Sequence, residues 1–163
     1  MQRVRIAFRV GGFSLVELLV AAAILGLLAT VAMPVVELTN KREKEHDLRL
    51  ALRDIRRAID AYKTAASGGK IKLVPGQSGY PPTLSELVNG VTDATNPDGP
   101  KLYFLRHVPR DPFYPDATTS AIDTWGKRSY DSPPDAPRAG DDVFDVYSLS
   151  TQKGLNGVPY SEW

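Results

Sequence analysis

FSLVELLVAAAILGLLATVAMPVV, residues 13–36, is a run of 24 residues carrying a single charge, Glu17. A helix needs about 20 apolar residues to cross a bilayer core, so the run is long enough to span one. The twelve residues before it hold Arg3, Arg5 and Arg9 and no acid. Positive charge ahead of the first span keeps that end cytoplasmic. The expected topology is a single pass, with everything after residue 36 on the far side.

Downstream, residues 37–66 read as an amphipathic continuation of the same helix. Leu48, Leu52, Ile55, Ile59 and Tyr62 recur at steps of four, three, four and three, which makes one apolar stripe. Ser67-Gly68-Gly69 supplies the stop. One helix over residues 13–66 would be roughly 80 Å long at about 1.5 Å per residue, and Pro34 should kink it by removing one backbone bond. Residues 67–163 hold most of the prolines and read as a small α/β domain. Thr83-Leu84-Ser85-Glu86 has the form of a capping box opening a short helix through Asn89. Residues 127–131 and 143–150 are the best strands, joined by the loop 131–142. Such a domain needs the apolar stripe of the long helix to complete its core. The expected fold is α+β: a long N-terminal helix against a small domain with a short antiparallel sheet. Four segments follow: a leader at 1–12, a transmembrane and assembly helix at 13–36, its amphipathic continuation at 37–66, and the far-side domain.

Composition removes several functions. The chain has 163 residues, 20 basic and 19 acidic, and no cysteine. Near-neutrality argues against nucleic acid as a partner, and disulfides, thiolate metal sites and cysteine nucleophiles are excluded. His46 sits in a charged run and reads as a solvated helix residue. His107 lacks a second nearby ligand and reads as structural. The acidic group Asp141, Asp142 and Asp145 reads as loop solvation, and no nucleophile elbow is present. No catalytic residue, metal ligand or cofactor is assigned, and the chain is not expected to be an enzyme.

The string Gly12-Phe13-Ser14-Leu15-Val16-Glu17 carries the functional signal. Gly12 presents a backbone with no side chain to obstruct a protease at the membrane face. A cut there leaves the apolar run as an anchor, whereas an ordinary secretory signal is cut behind it, for which Ala21-Ala22-Ala23 would serve. Glu17 is costly in a membrane, by about 2.5–3.5 kcal/mol at a helix centre and less near an end. Nothing in residues 13–36 neutralises it, so an external partner is expected.

Basic leader, Gly12, Phe13, Glu17 and Pro34 in this register resemble the signal sequence of prepilins of the type IV pilin superfamily. The resemblance implies cleavage after Gly12, N-methylation of Phe13, and pairing of Glu17 with the new amine of a neighbouring subunit during polymerisation. Four further elements resemble the major (G-type) pseudopilins of type II secretion. They are Tyr80-Pro81-Pro82-Thr83, Val108-Pro109-Arg110-Asp111-Pro112-Phe113, Asp145-Val146-Tyr147-Ser148 and Trp163. That family implies a helical homopolymer anchored in the bacterial inner membrane, its far-side domain in the periplasm. Its other partners are prepilin peptidase, minor pseudopilins and the secretion platform. The rival readings are a type IV pilin for adhesion, motility or DNA uptake, and a signal-anchored periplasmic enzyme or binding protein. Two departures from the family stand out. Asp111-Pro112-Phe113 is separated from Trp125-Gly126 by an insertion of about a dozen residues. The loop 151–162, where family members bind calcium through aspartates, offers Glu162, Asn156 and a lysine, too few oxygens for that ion.

Overall fold

The computed structural model describes residues 12–163, with the side chains of residues 30–34 left out. Residues 1–11 of the leader expected at 1–12 lie outside the described residues, while Pro34 falls within a stretch that is helical throughout. Two compact units divide the chain, one ending at Lys41 and the other being Arg42–Trp163.

In the first unit, helix α1 (Leu15–Ser67) begins two residues later than the sequence pattern suggests. Ser14 is the reason. Its Oγ accepts the Glu17 N–H at 3.2 Å, and its carbonyl accepts the Leu18 N–H at 3.1 Å, so Ser14 caps the helix from outside. Among the described residues no helix is long and apolar enough to cross a membrane. The described side chains ahead of residue 30 are exposed on every face of α1.

In the second unit α1 contributes the stripe. Leu48, Leu52, Ile55, Ile59 and Tyr62 are all buried, joined by Ala51, Ala58 and Ala66 between them. The helix then stops at glycine. Gly69 takes φ +74°, its N–H reaches the Ala66 carbonyl at 3.0 Å, and the Lys70 N–H reaches that of Ala65 at 3.0 Å. These two bonds satisfy carbonyls that the helix end would otherwise strand.

The rest of the unit covers the stripe. Helix α2 (Leu84–Asn89) buries Leu84 and Leu87. Thr83 stands at its N-cap position, but its side chain makes no capping bond, so the expected capping box does not form. Glu86 instead lies beside the Tyr62 hydroxyl, and burial followed by this carboxylate raises the Tyr62 pKa. Strands β1 (Trp125–Arg128) and β2 (Asp145–Ser148) form the two-stranded antiparallel sheet, with Trp125 opposite Ser148 and Arg128 opposite Asp145. β2 is shorter than the expected 143–150, and β1 starts two residues before the expected 127–131 and shares only Lys127 and Arg128 with it. Val143 and Val146 both point inward, three residues apart, so period-two alternation starts only at Asp145. The observed class is the α+β arrangement expected.

The insertion does not separate the motif it interrupts. Trp125 Nε1 donates to the Pro109 carbonyl at 2.8 Å, and the Asp111 N–H donates to Thr124 Oγ1 at 3.2 Å. The intervening loop is organised by Asp116, which accepts from the Thr118 N–H and from the hydroxyls of Thr118 and Thr119. Those bonds, the backbone one first, hold its carboxyl down at about 2. Their contribution is therefore complete above the ordinary value of 3.8 and is lost as pH falls through about 2.

Asp111 is itself buried. Its Oδ2 accepts the Ser148 hydroxyl at 2.6 Å and its Oδ1 the Phe113 N–H at 2.8 Å. Asp111→Ala should lower the stability of the fragment Arg42–Trp163 by about 1–3 kcal/mol for each donor left stranded. Urea denaturation of Asp111→Ala, Ser148→Ala and the double variant checks the pairing. The double variant should cost less than the sum of the singles, and strict additivity would mean the two side chains do not interact.

Candidate functional site

The residues assigned to processing and assembly lie together at the start of the described chain. Among the described residues nothing lies within 4 Å of where a Cβ on Gly12 would sit. Phe13 is 74% exposed and precedes the cap. Glu17 follows in the first turn of α1, three residues after Ser14. That position favours an acid, because a helix N-terminus carries partial positive charge. Helix geometry thus gives Glu17 a place without supplying a counter-ion: among the described residues its carboxylate has neither a hydrogen bond nor an ion pair. Around it Leu15, Val16, Leu18, Leu19 and Val20 are all more than half exposed. Apolar surface uncovered on every side requires lipid or other helices around it.

A second constellation lies in the other unit and was not singled out by sequence. Arg56, on the flank of the buried stripe, bridges three groups. Its Nε donates to Asp145 Oδ1 at 2.7 Å, and its two terminal nitrogens donate to the Trp163 carbonyl at 2.9 Å and the Val146 carbonyl at 3.1 Å. Arg128 adds a second, longer ion pair to Asp145 at 3.6 Å. The Asp145-Val146-Tyr147-Ser148 element is therefore fixed at one end by Arg56 and at the other by Asp111.

Glu45 does the same for the loop 151–162. It is buried, and its Oε1 accepts the Leu155 N–H at 2.7 Å and the Tyr160 hydroxyl at 3.0 Å. Tyr160 stacks on Phe113 with ring centroids 4.1 Å apart and meets Trp163 edge-on at 4.9 Å. Several of the loop's own carbonyls are engaged. That of Gln152 accepts from Tyr160, that of Gly154 from Gly157, and that of Val158 from Gly154. Asn156 Oδ1 accepts the Val158 N–H. Glu162 is the loop's sole carboxylate, whereas calcium takes six to eight oxygens.

The remaining candidates disperse. His46 and His107 are exposed. Asp142 accepts from the Ser78 hydroxyl and from the Tyr130 N–H at 2.8 Å, Asp145 faces the arginines, and Asp141 is exposed. Among the described residues no three histidines or acids are grouped to hold a metal.

Comparison with known proteins places these observations. Residues 8–33 match the prokaryotic N-terminal methylation motif. The chain is 34% identical over 109 residues to the type II secretion system core protein G of Vibrio cholerae serotype O1. That match covers 63% of this chain and 64% of the relative's length. No solved structure matches the chain. Together the two matches support placing the chain in the type IV pilin superfamily. Within it, the pseudopilins of type II secretion are the group they favour.

Glu45 also generates a test. Burial, then its bond to Glu45, raises the Tyr160 phenol above the ordinary value of 10. That contribution is complete below pH 10 and fades as pH climbs through the raised value. Glu45→Ala should strand both donors and cost about 1–3 kcal/mol, while Glu45→Gln keeps the acceptor and should cost less. Thermal melts of the two variants decide it; equal losses would mean the carboxylate charge, not the acceptor, holds the loop.

Proposed function

We propose that this chain is a structural subunit of a type II secretion pseudopilus. It is made as a prepilin, cut after Gly12 by prepilin peptidase and N-methylated at Phe13. It then polymerises through its N-terminal helix into a periplasmic filament that drives export of folded proteins across the outer membrane. The helix anchors the unassembled subunit in the inner membrane, and the filament meets minor pseudopilins and the secretion platform. One observation carries this reading: an apolar helix exposed on all faces, with an unpartnered carboxylate three residues past its cap. An amine from the next subunit supplies the missing charge. Acid on one copy and amine on the next is a one-way contact, which propagates as an open helix and does not close into a ring.

Removing the leader takes three arginines from 20 basic side chains and leaves 17 against 19 acidic ones. Intact mass of membrane-extracted protein should therefore correspond to residues 13–163 plus one methyl. A mature N-terminus beyond the alanine run at 21–23 would overturn the reading. Glu17→Ala should be processed normally but assemble poorly, since breaking a buried pair by removing one partner costs about 3–5 kcal/mol. Glu17→Lys should be worse still. Wild-type amounts of filament from correctly processed Glu17→Ala would eliminate the pairing role.

The filament subunit needs no calcium on this reading, because Glu45 and the loop's own bonds close the segment where the resemblance would place it. Chelator should leave the melting temperature of the fragment Arg42–Trp163 unchanged. A rise that grows with added calcium, as mass action demands of a bound ion, would reverse that conclusion.

A further inference from the structure

On the exposed side of α1, an open cleft of about 440 Å³ is lined by Arg49, Arg53, Arg57, Asp60, Asn156 and Trp163. Its arginines differ in their commitments. Arg49 lies over the Trp163 ring, 4.3 Å from the centroid, and pairs with Glu45 at 3.6 Å. Arg53 and Arg57 are exposed, one turn apart, and neither has a hydrogen bond, ion pair or ring contact among the described residues. The wall is rich in donors. Asn156 uses its oxygen on the Val158 N–H, and Trp163 Nε1 is buried with no acceptor. Asp60 is the one carboxylate on the rim. Arginine's planar fork matches a carboxylate, so the chemistry that fits is an acidic segment from outside the chain.

The same chain carries such a segment. The loop 131–142 has four aspartates against one base, Arg138. Asp131, Asp135 and Asp141 are exposed, and none has a partner among the described residues. Asp142 pins the loop to Ser78 and Tyr130 and so presents the other three from a fixed base. No residue of this loop lines the cleft, and no ion pair joins the two within the chain. The cleft lining carries Arg49, Arg53, Arg56 and Arg57 against Asp60, an excess of three positive charges against the loop's three negative.

We propose that the cleft between α1 and Trp163 receives the acidic loop 131–142 of a second copy, with Arg53 and Arg57 facing Asp131, Asp135 and Asp141. The proposal rests on the polymer reading above and adds to it a contact between the far-side domains. It too is heterologous, cleft on one copy and loop on the next, so it propagates in the same open sense.

The test uses the full-length chain expressed with its assembly machinery, with filament yield as the readout. Membrane level and processing of each variant are checked alongside. Arg53→Glu with Arg57→Glu should cut yield about tenfold, as expected of two or three exposed charge pairs acting together. Asp131→Lys, Asp135→Lys and Asp141→Lys together should do the same. Combining both sets should restore yield. The chain has no cysteine, so Arg57→Cys on one copy and Asp135→Cys on another should give a clean oxidised dimer. Full yield from either reversed set overturns the proposal. So does loss with the arginine set alone, which points to other acids as the occupant, and so does failure of the combination to recover. Absence of filaments from the wild-type chain would instead remove the polymer reading beneath it.

Discussion

Two four-residue strands and one six-residue helix cannot enclose a core by themselves, and everything after residue 70 depends on that shortage. The face they need is the stripe Leu48, Leu52, Ile55, Ile59 and Tyr62 of α1, with small alanines between that let the covering loops approach closely. Fully burying a residue of this size is worth about 1.5–3 kcal/mol, so the stripe is a large source of stability in the unit. It follows that a stretch which reads as the continuation of a membrane anchor is also the floor of the C-terminal unit. A helix can serve both ends because its apolar pattern changes partway along, from apolar on every face to a single stripe.

Hydrophobic cover alone would leave the loops free to slide, since apolar contact has no direction. Direction comes from three charged side chains, of which Glu45 and Asp111 are buried where charge is normally excluded and Arg56 is partly exposed. Arg56 holds strand β2 and the Trp163 carbonyl, Asp111 ties the segment before the insertion to Ser148, and Glu45 holds Leu155 and Tyr160. In each case the charged group meets partners from distant parts of the chain. A buried or half-buried charge tolerates very few arrangements, so these groups favour one register of loop on helix.

The helix and its stripe were legible because a 3.6-residue period over about four turns has no competing explanation. Strand β2 was legible in place but not in length, because Val143 points inward out of phase with Val146, and β1 was placed two residues too late. The missing capping box shows the limit of local pattern. Thr83 and Glu86 have the right spacing, but Glu86 is drawn to Tyr62, a partner invisible at short range. Glu45 was passed over inside a charged run, yet it sits three residues before Leu48 and continues the stripe at the same steps. An acid in phase with a buried face was the available signal. Arg56 and the Asp111–Ser148 bond carried none, since their partners are tens of residues away. Ser14 was overlooked for another reason: its string was read for processing, and the serine three residues before an acid is also a helix cap.

The insertion between Phe113 and Trp125 makes the same point from the other direction. In sequence it breaks a motif, and a motif broken by about a dozen residues looks lost. In space the two halves are held by the Trp125 bond to Pro109 and the Asp111 bond to Thr124, so the extra residues close a loop whose ends already meet. Each doubling of such a loop costs only about 0.6 kcal/mol in closure entropy. Asp116 and its two threonines, with Arg110 donating to the Asp116 and Thr119 carbonyls, order much of what remains. What must be preserved in this part of the chain is therefore the contact between an aspartate-proline turn and a tryptophan-glycine strand. Their adjacency in sequence is one way to achieve it, and this chain achieves it by another.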